Sequence, residues 1–439
     1  MLKYLHLQNV GPASEMALEF GDRMNLITGD NGLGKSFLLD VAWWALTRKW
    51  PRDLNSQLTS GYAAKPSNPK KTASIEFTLT TKTKQTKSYS STYSARDESW
   101  LGQSGRPWNP GLVIYAHADG SFSVWDPARN YWKKKGQIDV QDRLPGYVFS
   151  PREVWDGLQV EIEGRDVVVC NGLVRDWASW IREKGIAANT MEIVLGMLSP
   201  SEQPGDQLVP GPLCRIGVND VRDIPTIQTG YSDAVPVLHA SSGVRRIIAL
   251  SYMLLWTFHE HQHAARQLGE KPTEQVILIV DELESHLHPR WQRSILGALL
   301  KLAPVLHSTA KIQLIAATHS PLVMASAEPN FDEKQDAWFD IDFHNESRPP
   351  RVELLKREFV RRGDVVSWLT SEAFDLREGR SLEAETAIVA ALEVLKNPKT
   401  PTAEIERVHT LLQSSLSDTD RFWMRWSQYR SDRAGAAKK

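Results

Sequence analysis

Apolar and polar residues alternate from Leu2 to Gln8, turn at Gly11-Pro12, and resume in a short strand from Ala17 to Phe20. Met24 to Ile27 is a third apolar run, and it leads straight into GDNGLGKS at 29–36. After Lys35 the stretch FLLDVAWWALTRKW has helical spacing and stops at Pro51. The order is strand, glycine loop, helix. From about 52 to 235 the pattern is mixed. Ser and Thr recur through TASIEFTLTTKTK, which predicts exposed antiparallel strands. A tryptophan-rich stretch follows at 100–132, then YVFSPREVWDGL at 147–158, an amphipathic helix from Leu173 to Ala187, and a Pro/Gly loop at 199–212. Order returns near 236. ASSG precedes a long helix, RRIIALSYMLLWTFHEHQ, and the continuous apolar run QVILIVDE (275–282) predicts a strand buried on both faces. A helix opens after Pro289, a further strand runs through IQLIAATHS (312–320), and 331–350 is polar and loop-like. The tail after 351 is largely helical, with its best amphipathic piece at 382–395. No internal repeat or sustained heptad pattern is present, which excludes a long coiled coil.

The chain has 439 residues, enough for two or three domains or for one domain with a large insertion. Its 41% hydrophobic and 24% charged content is that of a globular chain, not a disordered one. No apolar run reaches the ~18 residues of a membrane span, and the start lacks a secretory h-region. Two cysteines, Cys170 and Cys214, cannot build a disulfide framework and suit a reducing cytosol, so the expected location is cytoplasmic. A net charge of -1 argues against a protein that coats nucleic acid. Locally the balance differs: Lys65, Lys70, Lys71, Lys82, Lys84 and Lys87 face one acid, Glu76, and six basic residues face one acid, Asp432, over 421–439. Such charge runs are usually solvated faces, though both could meet a phosphate backbone. For the second, the spacing of Phe422, Trp423, Trp426 and Tyr429 favours a helix docking on a partner protein. The 16 tryptophans imply a large aromatic core or partner surfaces.

The candidate chemistry begins in the glycine loop. Gly29, Gly34, Lys35 and Ser36 satisfy the phosphate-loop pattern. Glycines let backbone N–H groups of Asp30, Asn31, Gly32, Leu33, Gly34, Lys35, Ser36 and Phe37 converge on an anion at a helix N-terminus. Lys35 would supply a cation to the β- and γ-phosphates, and Ser36 a hydroxyl to Mg²⁺. In VILIVDELE the apolar run carries Asp281 to the exposed end of a buried strand, where it would share the Mg²⁺ with Ser36. Glu282 follows and, by strand alternation, points to the other side, where it would orient or deprotonate the attacking water. Ser241, Ser242 and Gly243 stand before the long helix as a second anion-binding N-terminus, and Thr318-His319-Ser320 ends the strand after the acidic one.

Taken in this order, these motifs resemble ABC-type P-loop ATPases, and most closely the soluble branch that includes the SMC proteins and the overcoming-lysogenization-defect (OLD) nucleases. The Ser-Ser-Gly signature, Glu284 after the acidic pair, His286-Leu287-His288-Pro289 and the opening LHLQNVGP all match that branch. The tail LTSEAFDLREGRSLEAE resembles ATPase subunits of bacterial anti-phage defence systems of the Septu or PARIS kind. The motifs cover roughly 1–50 and 236–325. The resemblance implies an α/β fold: an ABC-type core with a β-rich and helical insertion and a helical C-terminal appendage. The expected segments are 1–51 with the phosphate loop, 52–235 as insertion, 236–350 as the rest of the core, and 351–439 as appendage. It implies ATP and Mg²⁺ as ligands, hydrolysis to ADP and phosphate, Glu282 as base and His319 at the γ-phosphate. It further implies a homodimer or higher homo-oligomer acting as sensor or scaffold in antiviral defence, with a separate nuclease effector; the basic runs leave nucleic acid open as a partner, and no membrane is expected. A DNA-repair or chromosome-maintenance ATPase and a non-hydrolysing ATP-dependent scaffold are the alternatives.

Departures are informative. Val244 replaces the usual Gln or Glu of the signature, and Arg245-Arg246 follow. The family's glutamine loop has four unanchored candidates, Gln103, Gln137, Gln141 and Gln159. Only about 90 residues follow 350, too few for the nuclease domain of OLD proteins. Asp340-Ile341-Asp342 reads as a solvated loop. His259-Glu260-His261-Gln262-His263 matches the zinc-peptidase pattern H-E-x-x-H, yet no third ligand follows at the spacing that pattern needs, so it is read as a polar, exposed, His-rich helix end without metal.

Overall fold

The computed structural model describes the chain apart from residues 81–84, 103–108, 131–142, 163, 201–203, 231, 308, 345–349, 398 and 437–439. In chain order, β1 (Leu2–Gln8) and β2 (Glu15–Glu19) lead to β3 (Met24–Gly29), α1 (Lys35–Thr47) and the short α2 (Pro51–Leu54). β4 (Ser74–Thr80), β5 (Thr86–Ser94), β6 (Ser99–Leu101), β7 (Leu112–Ala116), β8 (Phe122–Trp125) and β9 (Tyr147–Phe149) come after them. Next are α3 (Pro151–Asp156), the hairpin β10 (Leu158–Ile162) and β11 (Arg165–Cys170), α4 (Leu173–Glu183) and α5 (Ile186–Leu198). The small strands β12 (Val209–Pro210), β13 (Thr226–Thr229) and β14 (Ser232–Pro236) precede α6 (Ser242–Gln267). The remainder is β15 (Gln275–Val280), α7 (Pro289–Lys301), α8 (Ala303–Leu306), β16 (Lys311–Ala317), α9 (Pro321–Ala327), β17 (Ala337–His344), β18 (Arg351–Arg357), α10 (Val365–Leu369), α11 (Leu382–Lys396), α12 (Thr402–Ser415) and α13 (Phe422–Ala436).

Two sheets sandwich α1. The first is antiparallel, in the order β2-β1-β4-β5-β6; the second has eight strands in the order β18-β17-β3-β16-β15-β7-β8-β9. Strands β17, β3, β16, β15 and β7 run parallel, so their carboxyl ends share one edge. Helix α1 is apolar on nearly every side because both of its faces are covered. Leu38, Trp43 and Trp44 share one core with Leu5, Ile75 and Phe77 of the first sheet and with Ile277, Ile315 and Phe339 of the second. Removing a side chain such as Trp44, 3% exposed, should cost about 3–5 kcal/mol.

The segment expected as an insertion enters both sheets. Residues 74–101 complete the antiparallel sheet, and 112–149 add β7, β8 and β9 to the large one. The elements from α3 through β14 pack as hairpins and helices beside α6. The segment at 331–350, expected as a loop, contains β17, which pairs with β3 and β18. Asp340 is correspondingly buried, not solvated. It accepts from Thr28 Oγ1 at 2.7 Å and pairs with Arg357 at 3.2 Å. The helix expected over Leu173–Ala187 ends at Glu183, and a second one, α5, begins at Ile186.

The chain divides into two compact units, Met1–Trp368 and Leu369–Lys439. β18 belongs to the large sheet, so the separately packed unit starts after it. That unit has its own core, in which Ala384, Ile388, Ala391, Val408, Leu412 and Trp426 meet. Phe422, Trp423 and Tyr429 pack against the same core, which corrects their expected role as a partner-docking stripe. Among the described residues no helix is long and apolar enough to cross a membrane.

Candidate functional site

The site forms where β3, β15 and β16 end. β3 stops at Gly29, and the chain then turns through Gly32 and Gly34 at φ 82° and 100°, values that need glycine. Gly34 caps α1, so the first N–H groups of the helix open into the loop. Lys35 is buried, and its Nζ donates to the carbonyls of Gly29 at 2.6 Å and Asp30 at 2.8 Å. Burial lowers its pKa, opposed by the charges of Asp281, Asp30, Glu284 and Glu282. Among the described residues it forms no ion pair, so its direct hydrogen-bond partners are carbonyls and the carboxylates act on it from further away. Asp30, Asn31, Gly32 and Ser36 are exposed, while Leu33 and Phe37 are half-buried and packed against the α1 core.

Asp281 follows Val280 directly and is 4% exposed; its N–H donates to Ala116 O at 2.9 Å, which ties the end of β15 to β7. Burial raises its pKa, and the Ser36 hydroxyl bonded to it opposes that rise. Ser36 and Asp281 are thus brought together, two hard oxygen donors of the kind Mg²⁺ takes. Glu282 corrects the expectation from strand alternation. It lies beyond the strand, at φ 48°, and reaches its side of the site through a left-handed turn. His319 sits after β16 with its pKa lowered by burial and by Lys35, and with Glu282 and Asp30 opposing, so these groups share one electrostatic neighbourhood.

Two residues outside the expected set hold this arrangement. Glu284 accepts from Thr318 Oγ1 at 2.7 Å and from the His319 N–H, which fixes the loop that carries His319. Arg246, one turn into α6, is half-buried and donates to the carbonyls of His117 at 2.7 Å, Ala118 at 3.3 Å and Asp281 at 3.2 Å. It bolts the signature helix to the end of the Asp281 strand. Its position after the signature is visible in the sequence; its carbonyl partners, distant in sequence, are not.

Ser241 caps α6 by accepting from the Val244 N–H at 3.4 Å, and Ser242 is exposed beside it. Gly243 packs so closely on the 283–287 turn that a Cβ there would lie 2.5 Å from His286 O. Of the glutamine-loop candidates, Gln159 is exposed on β10, whereas Gln103, Gln137 and Gln141 lie outside the described residues. In the H-E-x-x-H segment, the Nε2 atoms of His259 and His263 lie 3.3 Å apart, and Glu260 pairs with Arg129 at 3.7 Å. His261 is not on an exposed helix end: it is buried, 2.6 Å from Asp126, and accepts from the Thr273 N–H at 2.8 Å. No group of three His, Cys, Asp or Glu among the described residues is arranged to hold a metal.

Phosphate loop, acidic strand end and parallel sheet together are the arrangement of a P-loop ATPase. Residues 24–325 match the family described as AAA domain, putative AbiEii toxin, Type IV TA system, and the chain belongs to that family. It is similar to the Septu protein PtuA of Bacillus thuringiensis, 19% identical over 348 residues, covering 75% of this chain and 74% of that protein. It is also similar to the retron Vc95 probable ATPase of Vibrio cholerae serotype O1 biovar El Tor, 42% identical over 50 residues, 11% of this chain and 9% of that one. Among solved structures, an Smc head bound to the C-winged helix domain of ScpA aligns with TM-score 0.41 at 12% identity, covering 81% of this chain and 98% of that one. The recombination mediator RecF aligns with TM-score 0.36 at 15% identity, covering 78% and 96%.

Proposed function

We propose that the chain binds ATP with Mg²⁺ in the 29–37 loop and hydrolyses it to ADP and phosphate. The observation that supports this is the meeting of Lys35, Ser36, Asp281, Glu282 and His319 at one edge of the sheet. On binding, Lys35 exchanges its carbonyl partners for β- and γ-phosphate oxygens, and the loop N–H groups hold the remaining charge. Ser36 and Asp281 hold the Mg²⁺, which when bound neutralises charge that develops on the phosphates. Glu282 accepts the proton of the attacking water, and His319, positioned by Glu284, donates to the γ-phosphate. In this reading Lys35→Ala loses nucleotide binding, whereas Glu282→Gln binds ATP and turns it over at least about 100-fold more slowly. Equilibrium binding of a fluorescent ATP analogue and a phosphate-release assay separate the two steps. Wild-type turnover in Glu282→Gln would remove the base from this account.

The biological reading is the ATPase subunit of a bacterial anti-phage complex, a homodimer or larger assembly that senses or scaffolds while a separate nuclease acts. The family match and the similarity to a Septu protein support it. Phage plating on cells that carry the chain with its neighbouring reading frames tests it. Protection that survives Lys35→Ala would detach the ATP site from defence.

A further inference from the structure

Helices α3 and α4, the loop ahead of β13 and the first turns of α6 enclose two joined cavities of about 530 and 360 Å³. They share Arg152, Trp155, Asp156 and Arg222 as a common wall. Their charge is one-sided. Arg152, Arg175, Arg222, Arg245 and Arg246 line them, against Asp119 and Asp156, and no lysine does. Both acids are engaged: Asp119 accepts from Ser121 and Thr59, and Asp156 is shared by Arg152 at 3.4 Å and Arg222 at 3.0 Å. Arg222 forks to Asp220 as well, at 2.8 Å. Arg175 and Arg245 meet no carboxylate among the described residues, and Arg245 lies over the Trp155 ring at 5.0 Å.

The geometry points to a trough for the sugar–phosphate backbone of a nucleic-acid strand. Guanidinium forks match phosphate oxygens in pairs. Arg222 and Arg246 are held by other partners, so Arg175 and Arg245, which meet no carboxylate among the described residues, and Arg152, held only by Asp156 at 3.4 Å, are the ones that offer it. Trp155, the aromatic in the shared wall, is 9% exposed and covered by Arg245, so bases find no stacking platform and recognition falls on the backbone. An acidic peptide would take most of its affinity from apolar anchors, and of the apolar lining Trp155, Val174 and Ala249 are buried, which leaves only Pro151 and half-buried Leu238 and Ala118 to offer them. Ser242 lines the larger cavity too, so a bound strand lies beside the signature. Strand binding itself does not rest on the nucleotide site.

The test uses the full chain and a labelled single strand of about 30 nucleotides, as DNA and as RNA, followed by anisotropy between about 50 and 200 mM salt. Binding should weaken steeply with salt. Arg152→Ala/Arg175→Ala should lose about tenfold in affinity and flatten the log–log salt slope by roughly one to two, with melting unchanged; both side chains are exposed. Arg152→Lys/Arg175→Lys, which keeps the charge but not the paired donors, should hold the salt slope near wild type while recovering only part of the affinity, and Lys70→Ala/Lys71→Ala in the basic segment before β4 should retain all of it. Unchanged affinity and slope in the alanine pair, or loss of binding in Lys70→Ala/Lys71→Ala alone, overturns the assignment. Equal binding of labelled polyglutamate would make the trough a peptide site. Complete displacement by inorganic phosphate at constant ionic strength would make it a small-anion site. Either result overturns the proposal.

Discussion

Asp40 stands one turn beyond Ser36 on α1, 7% exposed, with Tyr115 OH donating to it at 3.1 Å. Burial raises its pKa from 3.8 to about 7, with the Tyr115 and Gly61 hydrogen bonds opposing and Asp281 adding to the rise. The folded chain therefore holds this proton more tightly than the unfolded one. The associated stability is present below pH 3.8 and is lost as pH rises through about 7. Asp40→Asn should remove that decline and gain up to about 4 kcal/mol at pH 8, read by denaturant unfolding at several pH values. Parallel curves for wild type and variant would show that Asp40 is not the group. The His259–His263 pair gives a second residue-scale outcome. Purified protein should carry no stoichiometric zinc, and His259→Ala should leave turnover nearly unchanged; one zinc per chain, lost in the variant, would reverse this. Asp281 was legible at this scale because an apolar run ends on it. Glu282 was legible by type but not by geometry, since the left-handed turn that aims it leaves no sequence mark.

Arg246 ties two elements together. Its guanidinium is bonded to three carbonyls, so Arg246→Ala leaves those carbonyls short of donors and frees α6 from the β15 end. The expected result is a stability loss of about 3 kcal/mol, ATP binding within a few-fold of wild type, and turnover lowered about 10–100-fold. Turnover that follows the binding constant step for step would show that the arginine serves stability alone. Elements whose neighbours are close in sequence, or whose burial is complete, were readable: β3 with its loop and α1, β15, and α6 with its serine cap. β17 was not. Asp340 and Asp342 suggest a loop, and only the Arg357 and Thr28 partners, brought in by tertiary pairing, make a buried aspartate acceptable in a strand. β7, β8 and β9 were hidden for a related reason. They are short strands that join the sheet only through β7, whose partner β15 lies about 160 residues further on; β8 and β9 then add to β7 in turn.

At the scale of the whole molecule, the chain carries one phosphate loop and one Ser-Ser-Gly signature. Exposed Ser241 and Ser242 at the head of a 26-residue helix suit a phosphate held by a second copy, and a two-fold pair would make two identical composite sites. Mixing Lys35→Ala with Gly243→Asp chains should then recover part of the lost turnover, because a mixed pair keeps one intact site. Neither activity on mixing nor a dimer of Glu282→Gln with ATP would leave the shared-site model without support. The lysine that such a pair depends on is itself already engaged. Lys35 donates to its own loop at Gly29 and Asp30, so every incoming anion competes with an internal rival. A lone oxyanion must displace two hydrogen bonds and gains little beyond their replacement. A triphosphate reaches the lysine, the Ser36 hydroxyl and the helix end together, and its gain exceeds the displacement. If the loop holds ATP as proposed, its internal rival would make it a sieve on ligand length, favouring a triphosphate over free phosphate.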